Sequence, residues 1–365
     1  LMAPSKVFQL KRYNDPILFA PIGNDYYYLI HKWGNDLHPL RKLAMKPFKN
    51  MGNFIVLLVF VSLLLTALIP QNIFGKTTQG VMGLVTFLFV LKSVMGIAQE
   101  RNVPTLANTT FSNWFGKQKI AQKTKKVYLF NDEFTNFYDV EIGKDAVFLL
   151  EKLGYEVIVL NHEESGRSFI SKGFLKEAKK VCDKNIALFK NVISDETPLI
   201  GIEPSAILTF RDEYIRLATD KIAAEKIAKN AFTFEEFLSN EHQKNNVDVS
   251  LFSSEEKEIK IHGHCHQKAL SSTHASFQIL NIPKNYKVTI LNTGCCGMAG
   301  SFGYEKEHYE ISMQVGEDTL FPKIRNCAPE TEIAASGTSC RHQIYDGTSR
   351  KAQHPVSILR SCLIN

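Results

Sequence analysis

The chain lacks the signatures of several common classes of protein. It has no long lysine–arginine run and no basic–aromatic pattern, and its net charge of +6 is modest for 365 residues. These absences argue against nucleic-acid binding and fit an anionic lipid surface or an acidic partner better. No GxGxxG or P-loop spacing occurs, no arrangement typical of a hydrolase stands out, and the paired CxxC knuckles of common zinc sites are missing.

A signal peptide is also lacking, because Leu1–Ser5 looks like the middle of a longer chain or a processed start. Further along, the run Phe54–Ile69 carries no charge, and the apolar run Val81–Ala98 is interrupted only by Lys92. A helix over Phe54–Ile69 spans about 24 Å, which is short of the roughly 20 residues that a bilayer core requires. Two interpretations stay open for this region: a pair of buried helices, or a short membrane hairpin or interfacial helix.

Cysteine is present in an informative pattern. The number is odd and most of the cysteines lie late in the chain, which is typical of metal-binding thiols in a reducing compartment rather than of a disulfide framework. We therefore expect a cytoplasmic protein, and the apolar runs leave open an attachment to the inner face of the cytoplasmic membrane. The seven cysteines are Cys182, Cys265, Cys295, Cys296, Cys327, Cys340 and Cys362.

Alternating strand and helix patterns begin near Lys125, and this alternation predicts parallel sheets with helices on their faces. A polar connector at Ser239–Glu258 separates two series of elements. The first series has strand patterns at Lys126–Phe130, Tyr155–Leu160 and Pro198–Glu203, and helical patterns at Glu141–Leu153 and Ser171–Val192. The second has strand patterns at Glu258–His262, Tyr286–Leu291 and Glu332–Ala335, and helical patterns at Lys268–Leu280 and Glu305–Arg325.

The two series are copies of one another. A shift of 131 residues lays Tyr155 on Tyr286 and Gly166 on Gly297 without a gap, and a further three-residue insertion lays Ala206 on Cys340. Such self-similarity indicates an internal duplication. On this alignment the first copy has Phe134, Glu164, Ser165 and Ala206 where the second has Cys265, Cys295, Cys296 and Cys340. One copy thus holds a candidate site, and the other is the same scaffold without it.

We therefore predict an α/β fold of two duplicated βαβαβ halves with parallel sheets, preceded by an α-helical, strongly apolar N-terminal region. The predicted domains are the N-terminal region at 1–102, a first α/β repeat without cysteine ligands at 103–238, and a second repeat carrying the site at 239–365.

Each of the four candidate ligands, Cys265, Cys295, Cys296 and Cys340, follows a predicted strand of the second copy. Loops at the carboxyl ends of parallel strands meet at one edge of a sheet, so four thiolates can converge there. Adjacent cysteines suit two corners of a larger cluster, with Gly297 letting the backbone bend close to it. Thiolate ligands favour an Fe–S cluster or zinc over hard cations, and a redox dithiol or structural thiols remain alternatives.

Other side chains around these cysteines are weaker candidates. His264 and His266 flank Cys265, and Arg341 follows Cys340. Together with Gly297, we interpret them as contacts around a bound cofactor, and the alternative is that they are surface residues. The isolated Cys182, Cys327 and Cys362 are expected to be small buried hydrophobic residues.

Three segments resemble the cysteine-rich CCG domain of Fe–S oxidoreductases: HGHCHQKAL, NTGCCGMAGSFGYEKEHYEIS and SGTSCRHQIYDGTSRKAQHP. That group includes the heterodisulfide reductase B subunit and the glycolate oxidase iron–sulfur subunit. The chain is most similar to the C-terminal region of FAD-linked oxidases of the D-lactate dehydrogenase-like type, from about Val103 onward. The full CCG pattern ends in CxxC, whereas Gln343 stands at the second cysteine here.

The resemblance implies that Cys265, Cys295, Cys296 and Cys340 ligate a cluster, and four thiols suit a 4Fe-4S cluster. It implies an enzyme component that passes electrons from FAD, on a missing domain or partner subunit, to a quinone, cytochrome or disulfide acceptor. The substrate would be a 2-hydroxy acid of the lactate or glycolate type. The rival hypothesis is a zinc- or thiol-containing docking module on an inactive duplicated scaffold.

Overall fold

The computed structural model describes residues 92–364, apart from positions 94 and 103. The chain divides into two compact units. The smaller unit comprises residues 1–101 with Tyr304–Tyr309, and the larger comprises Asn102–Gly303 with Glu310–Asn365. In the described part of the smaller unit, Ile97 forms an antiparallel bridge with Glu305.

The larger unit alternates strands with helices, as the sequence predicts. Its strands are β1 (Lys125–Phe130), β2 (Tyr155–Ile158), β3 (Leu199–Gly201), β4 (Ala231–Thr233), β5 (Lys257–His262), β6 (Tyr286–Ile290), β7 (Glu332–Ala335) and β8 (Ala352–Gln353). The helices of the first half are α1 (Phe111–Phe115), α2 (Glu133–Phe137), α3 (Val140–Lys152), α4 (Arg167–Ser171), α5 (Leu175–Phe189), α6 (Pro204–Ile207), α7 (Glu213–Leu217), α8 (Lys221–Lys229) and α9 (Phe234–Gln243). Those of the second half are α10 (Cys265–Leu270), α11 (Thr273–Leu280), α12 (Tyr309–Arg325), α13 (Thr338–Thr348) and α14 (Pro355–Ser361).

The strands form two four-stranded sheets with the same internal order, β2-β1-β3-β4 and β6-β5-β7-β8. Every pair of neighbouring strands in them is parallel. The repeated order confirms the predicted α/β fold with parallel sheets, and it supports the duplication. The two sheets share one core, because buried residues of β1 such as Leu129 and of β5 such as Ile259 belong to the same apolar cluster.

The element boundaries differ from the sequence-based expectation where local chemistry interrupts a pattern. The helix expected at Ser171–Val192 is broken at Gly173, whose φ of +79° is left-handed, and it restarts as α5. The helix expected at Lys268–Leu280 is two helices, because Ser272 caps α11 by accepting a hydrogen bond from His274 N.

Three further differences concern short or polar segments. Strands β4 and β8 have only three and two residues, too few for a sequence pattern to reveal. The polar connector expected at Ser239–Glu258 is helical at its start, since α9 ends at Gln243. The boundaries of the predicted domains stay a prediction.

The structure also corrects the alignment of the two copies by one residue at the first cysteine. Strands β1 and β5 are both six residues long and begin at Lys125 and Lys257, so they are offset by 132 residues rather than 131. The helices that follow them start at Glu133 and Cys265. The residue of the first half that corresponds to Cys265 is therefore Glu133, and the assignment of Phe134 to that place is wrong.

The apolar run Phe54–Ile69 and most of Val81–Ala98 lie outside the described residues. The predicted apolar, helical character of the N-terminal region therefore stays a prediction. Within residues 92–364, the structure contains no helix that is both long and apolar enough to span a bilayer.

A buried acid joins the two halves. Glu235, near the start of α9, is fully buried and accepts a hydrogen bond from the Ser336 hydroxyl, which follows β7 in the second half. Its Oε2 atom has no hydrogen-bond partner in the described part of the chain. Burial is the main reason that the pKa of Glu235 is raised to about 7.

This acid should make the stability of the protein depend on pH. The folded chain keeps the Glu235 proton up to about pH 7, while the unfolded chain releases it near pH 4.3. The contribution of this group to the free energy of unfolding therefore falls as pH rises through that window, by roughly 3 kcal/mol in total. We expect the Glu235→Gln variant to lack this loss, so that its stability relative to the native chain increases from pH 4.5 to 7.

Urea unfolding at a series of pH values measures the effect. The exposed Glu256, paired with Lys287 at the surface, provides the control variant Glu256→Gln, whose difference from the native chain should stay flat. A flat difference for Glu235→Gln would show that the carboxyl group is ionised in the folded protein.

Candidate metal centre

The four predicted cysteines lie on three loops at the carboxyl edge of the second sheet. Cys265 is the first residue of α10, two residues after β5 ends. Cys295 and Cys296 lie in the loop after β6, and Cys340 is in the first turn of α13, after β7. Because β5 pairs in parallel with both β6 and β7, all three loops leave the sheet at the same edge.

The structure brings all four thiols into a continuous series of contacts. The thiol of Cys265 interacts with that of Cys295, and Cys295 with Cys296. The Sγ atoms of Cys296 and Cys340 are 3.6 Å apart. Their role as metal ligands stays a prediction, but residues that are distant in sequence form one cluster of thiols.

The four thiols differ in exposure and in acidity. Cys265 is exposed and Cys295 is partly buried, whereas Cys296 and Cys340 are buried. Hydrogen bonds from Cys265 and Cys296 lower the pKa of Cys295, and a hydrogen bond from Cys296 lowers the pKa of Cys340 despite its burial. Donation to these neighbours raises the pKa of Cys265 and Cys296. The cluster therefore already favours two thiolates, the form that binds metals.

Gly297 shapes the loop that carries the cysteine pair. Its φ is +95°, and a Cβ atom at this position would lie 2.1 Å from the carbonyl oxygen of Ser312 in α12. Its N–H group donates to Cys295 Sγ at 3.3 Å. Only glycine fits this approach, so the glycine of the Cys-Cys-Gly sequence fixes the direction of both thiols.

Gln343, which stands at the fifth cysteine of the CCG pattern, is engaged away from the thiols. It is fully buried, and its Nε2 atom donates to the carbonyl oxygen of Ser312 at 3.0 Å. The glutamine thus packs α13 against α12, beside Gly297.

The two predicted histidines lie beside the first half of the chain. His264 caps α10, since its Nδ1 atom accepts from His266 N at 3.2 Å, and its Nε2 atom lies 3.8 Å from Glu203 Oε1. The rings of His264 and His266 stack with centroids 5.6 Å apart. Burial and, more weakly, the charge of Arg167 lower the pKa of His266 to about 4, which keeps that imidazole neutral at physiological pH.

Arg341 binds backbone and a carboxylate. Its guanidinium donates to the carbonyl oxygen of Ser336 at 2.6 Å and to Asp139 Oδ2 at 2.5 Å. Asp139 precedes α3 in the first half, so this ion pair connects the halves next to Cys340. The prediction that Arg341 contacts a cofactor stays a prediction.

Sequence reasoning missed two acids of the first half that hold the Cys340 loop. Glu203 Oε2 accepts from Thr338 N at 2.8 Å, and Asp139 accepts from the Thr338 hydroxyl. Although burial raises it, the pKa of Glu203 is net lowered by His264 and by the Thr338 N–H group. An acid directly after a strand was the available signal, but such a residue is more often solvated than buried.

Polar side chains fill the corresponding edge of the first sheet. Glu133, at the place of Cys265, accepts from Ser165 N at 3.0 Å and from Ser165 Oγ at 2.6 Å. Arg167 pairs with Glu213 at 2.7 Å. Paired and hydrogen-bonded groups occupy this edge, so among the described residues the first half carries no matching thiol cluster.

Comparison with known proteins gives relatives but no family model, since none matches the chain. The chain is 28% identical over 292 residues to the D-2-hydroxyglutarate dehydrogenase of Escherichia coli strain K12, covering 80% of this chain and 28% of that protein. It is 26% identical to a subunit of the anaerobic glycerol-3-phosphate dehydrogenase of the same strain, covering 75% and 69%. It is also 27% identical to lactate utilization protein A of Bacillus licheniformis, covering 64% and 96%.

These relatives agree with the predicted relation to hydroxy-acid oxidoreductases, because they are by name dehydrogenases, a dehydrogenase subunit and a lactate utilization protein. The chain spans about a quarter of the length of the D-2-hydroxyglutarate dehydrogenases that it matches. The comparisons do not name a cysteine-rich domain.

Replacing Gly297 should disturb the thiols more than the fold. In Gly297→Ala the Cβ atom cannot fit against Ser312 O, so the loop must move and carry Cys295 with it. We expect a loss of about 2 kcal/mol or more in the free energy of unfolding, from the left-handed backbone and the clash together. Metal retained on anaerobic purification should fall as well.

Gly154 offers a matched control, because its φ is +90° but no described atom lies within 4 Å of the position that a Cβ would take there. Gly154→Ala should lose only about 1 kcal/mol from backbone strain and keep its metal. Equal metal content in the two variants would mean that the Gly297 loop does not position the thiols.

Glu203 can be tested in the same way. The carboxylate of Glu203 accepts from Ser205 N, Ser205 Oγ and Thr338 N, whereas the amide of Gln has a single acceptor oxygen. Glu203→Gln should therefore leave a buried donor unpaired and lower the unfolding free energy by about 1–3 kcal/mol. Urea unfolding measures it against Glu196→Gln, at an exposed position; equal stability of both variants would contradict the proposed hold on the Cys340 loop.

Proposed function

We propose that the chain is the electron-transfer unit of a flavin-linked 2-hydroxy-acid oxidoreductase of the lactate or glycolate type. The observation that carries this proposal is the meeting of four thiols at one sheet edge, two of them thiolates by environment. The names of the relatives support the class of reaction. The flavin, FAD, belongs on a further domain or on a partner subunit.

The residues fit a 4Fe-4S cluster in number and chemistry. Cys265, Cys295, Cys296 and Cys340 would hold it, because four thiolates are the usual ligand set. Such a cluster supplies one-electron transfer when bound. The protein contributes the position of the thiols, the N–H group of Gly297 toward Cys295 Sγ, and exclusion of water around the buried Cys296 and Cys340.

The exposed Cys265 sets the direction of electron transfer. Since Cys265 is exposed and Cys340 is buried, a redox partner approaches the site from the side of α10. On this proposal a reduced flavin delivers electrons there, and a quinone, cytochrome or disulfide accepts them.

One observation favours a second candidate, a zinc site in a docking module. The Sγ atoms of Cys296 and Cys340 are 3.6 Å apart, close to the roughly 3.8 Å that two thiolates on one tetrahedral zinc ion adopt from Zn–S bonds of about 2.3 Å. His262 lies near enough to both to form a three-residue set, with all ligand atoms within 4.8 Å of one another. The two candidates differ in metal content.

Anaerobic purification with analysis of iron, acid-labile sulfide and zinc tests the proposal. We expect about four iron and four sulfide per chain, with broad visible absorption that dithionite bleaches. Cys296→Ser should lose most of the iron, because it removes a buried ligand. Cys327→Ser changes a thiol outside the cluster, which contacts the Lys323 carbonyl, and should keep all of it.

The outcomes separate the candidates. One zinc per chain and no iron would establish the docking module instead. Iron that persists in Cys296→Ser, or that Cys327→Ser also loses, would contradict the assignment of the ligands.

A further inference from the structure

His262 is a buried histidine beside the thiols that the proposed ligand set does not use. It is the last residue of β5 and only 1% exposed. Its Nδ1 atom lies 2.8 Å from the Thr293 hydroxyl. Its Nε2 atom is buried and has no hydrogen-bond partner among the described residues. An unpaired buried nitrogen is costly, so it calls for an explanation.

The atoms that this imidazole faces are sulfurs. The ligand atoms of His262, Cys296 and Cys340 all lie within 4.8 Å of one another. After the hydrogen bond from Cys296, the His262 imidazole is the next group that lowers the pKa of the Cys340 thiol. Because Nδ1 is taken by Thr293, Nε2 is the ring nitrogen left for the thiols.

Thr293 decides which nitrogen carries the proton. When the Thr293 hydroxyl donates to Nδ1, the neutral imidazole holds its proton on Nε2 and presents an N–H group to the sulfurs. Its two neighbours differ, since the ring nitrogens of His264 face His266 N and Glu203. His262 is thus the histidine of the three that is directed into the thiol cluster.

We propose that His262 is a positioning residue that donates an Nε2–H hydrogen bond to the sulfur of Cys340 and thereby raises the reduction potential of a cluster bound there. The inference rests on the proposed function. Four thiols already complete the ligand set, so the imidazole acts on a ligand rather than on iron. A donor near a ligating sulfur stabilises the extra negative charge of the reduced cluster.

Three variants test this role: His262→Leu removes the donor, His262→Gln replaces it with an amide N–H, and Thr293→Val removes the group that fixes the tautomer. Iron, sulfide and the reduction potential are measured on each anaerobically purified protein. We expect all three to keep their iron. His262→Leu should shift the reduction equilibrium about tenfold toward the oxidised form, which is 59 mV for a one-electron couple. His262→Gln should recover part of this shift, and Thr293→Val should show a smaller one.

Isotope labelling separates donation from direct ligation. With ¹⁵N-histidine, the electron spin resonance of the reduced protein should show only the weak nitrogen coupling of a hydrogen-bonded imidazole. A strong coupling, together with loss of iron in both His262 variants, would overturn the proposal in favour of a histidine ligand. An unchanged potential in His262→Leu and Thr293→Val, with iron retained, would overturn it while leaving the proposed function intact.

The proposed function fails separately, if the native chain binds no iron. Should His262→Leu not fold, the shift between the native chain, His262→Gln and Thr293→Val still decides the matter, because these variants keep a polar group or the imidazole itself. No shift in either would then overturn the inference.

Discussion

The parallel pairing of β5 with β6 and β7 is the constraint on which the candidate centre depends. In such a sheet all strands end at one edge, so the loops after them are neighbours however far apart they lie in the chain. Cys265, Cys296 and Cys340 each follow a different strand. An antiparallel arrangement would place successive strand ends at opposite edges and disperse the thiols.

The half without thiols also contributes to the centre. It repeats the same sheet order, but Glu133 and Ser165 bond to each other where the second half has cysteines. At the junction, Glu203 and Asp139 accept hydrogen bonds from Thr338, two residues before Cys340. The copy that lacks the ligands therefore holds one of the ligand loops in place, which gives a physical reason for both halves to form a single unit.

The sequence is sufficient to predict the alternation of elements, the parallel sheets and the convergence of Cys265, Cys295, Cys296 and Cys340, because these depend on residue periodicity and on chain order. It cannot place Gly297 against Ser312, nor direct His262 toward Cys340. Contacts of that kind depend on where another element packs, and no local pattern encodes it.

The errors have the same origin. Phe134 aligns with Cys265 only because an ungapped shift cannot register a one-residue change between strands, which the paired helix starts at Glu133 and Cys265 reveal. Glu203 is expected at a solvated strand end, and its burial depends on the second half packing over it. Strands as short as β8, with two residues, carry no periodicity at all.

The graded burial of the thiols makes entry to the centre one-sided. Cys265 is open to solvent and Cys340 is enclosed, while Gly297 is locked against Ser312 and leaves no room for the loop to widen. Oxidants and alkylating reagents therefore meet the thiols in a fixed order, with Cys265 first. The same geometry governs assembly, because a metal or a preformed cluster delivered to the folded chain must be handed over at Cys265 before it reaches the buried pair.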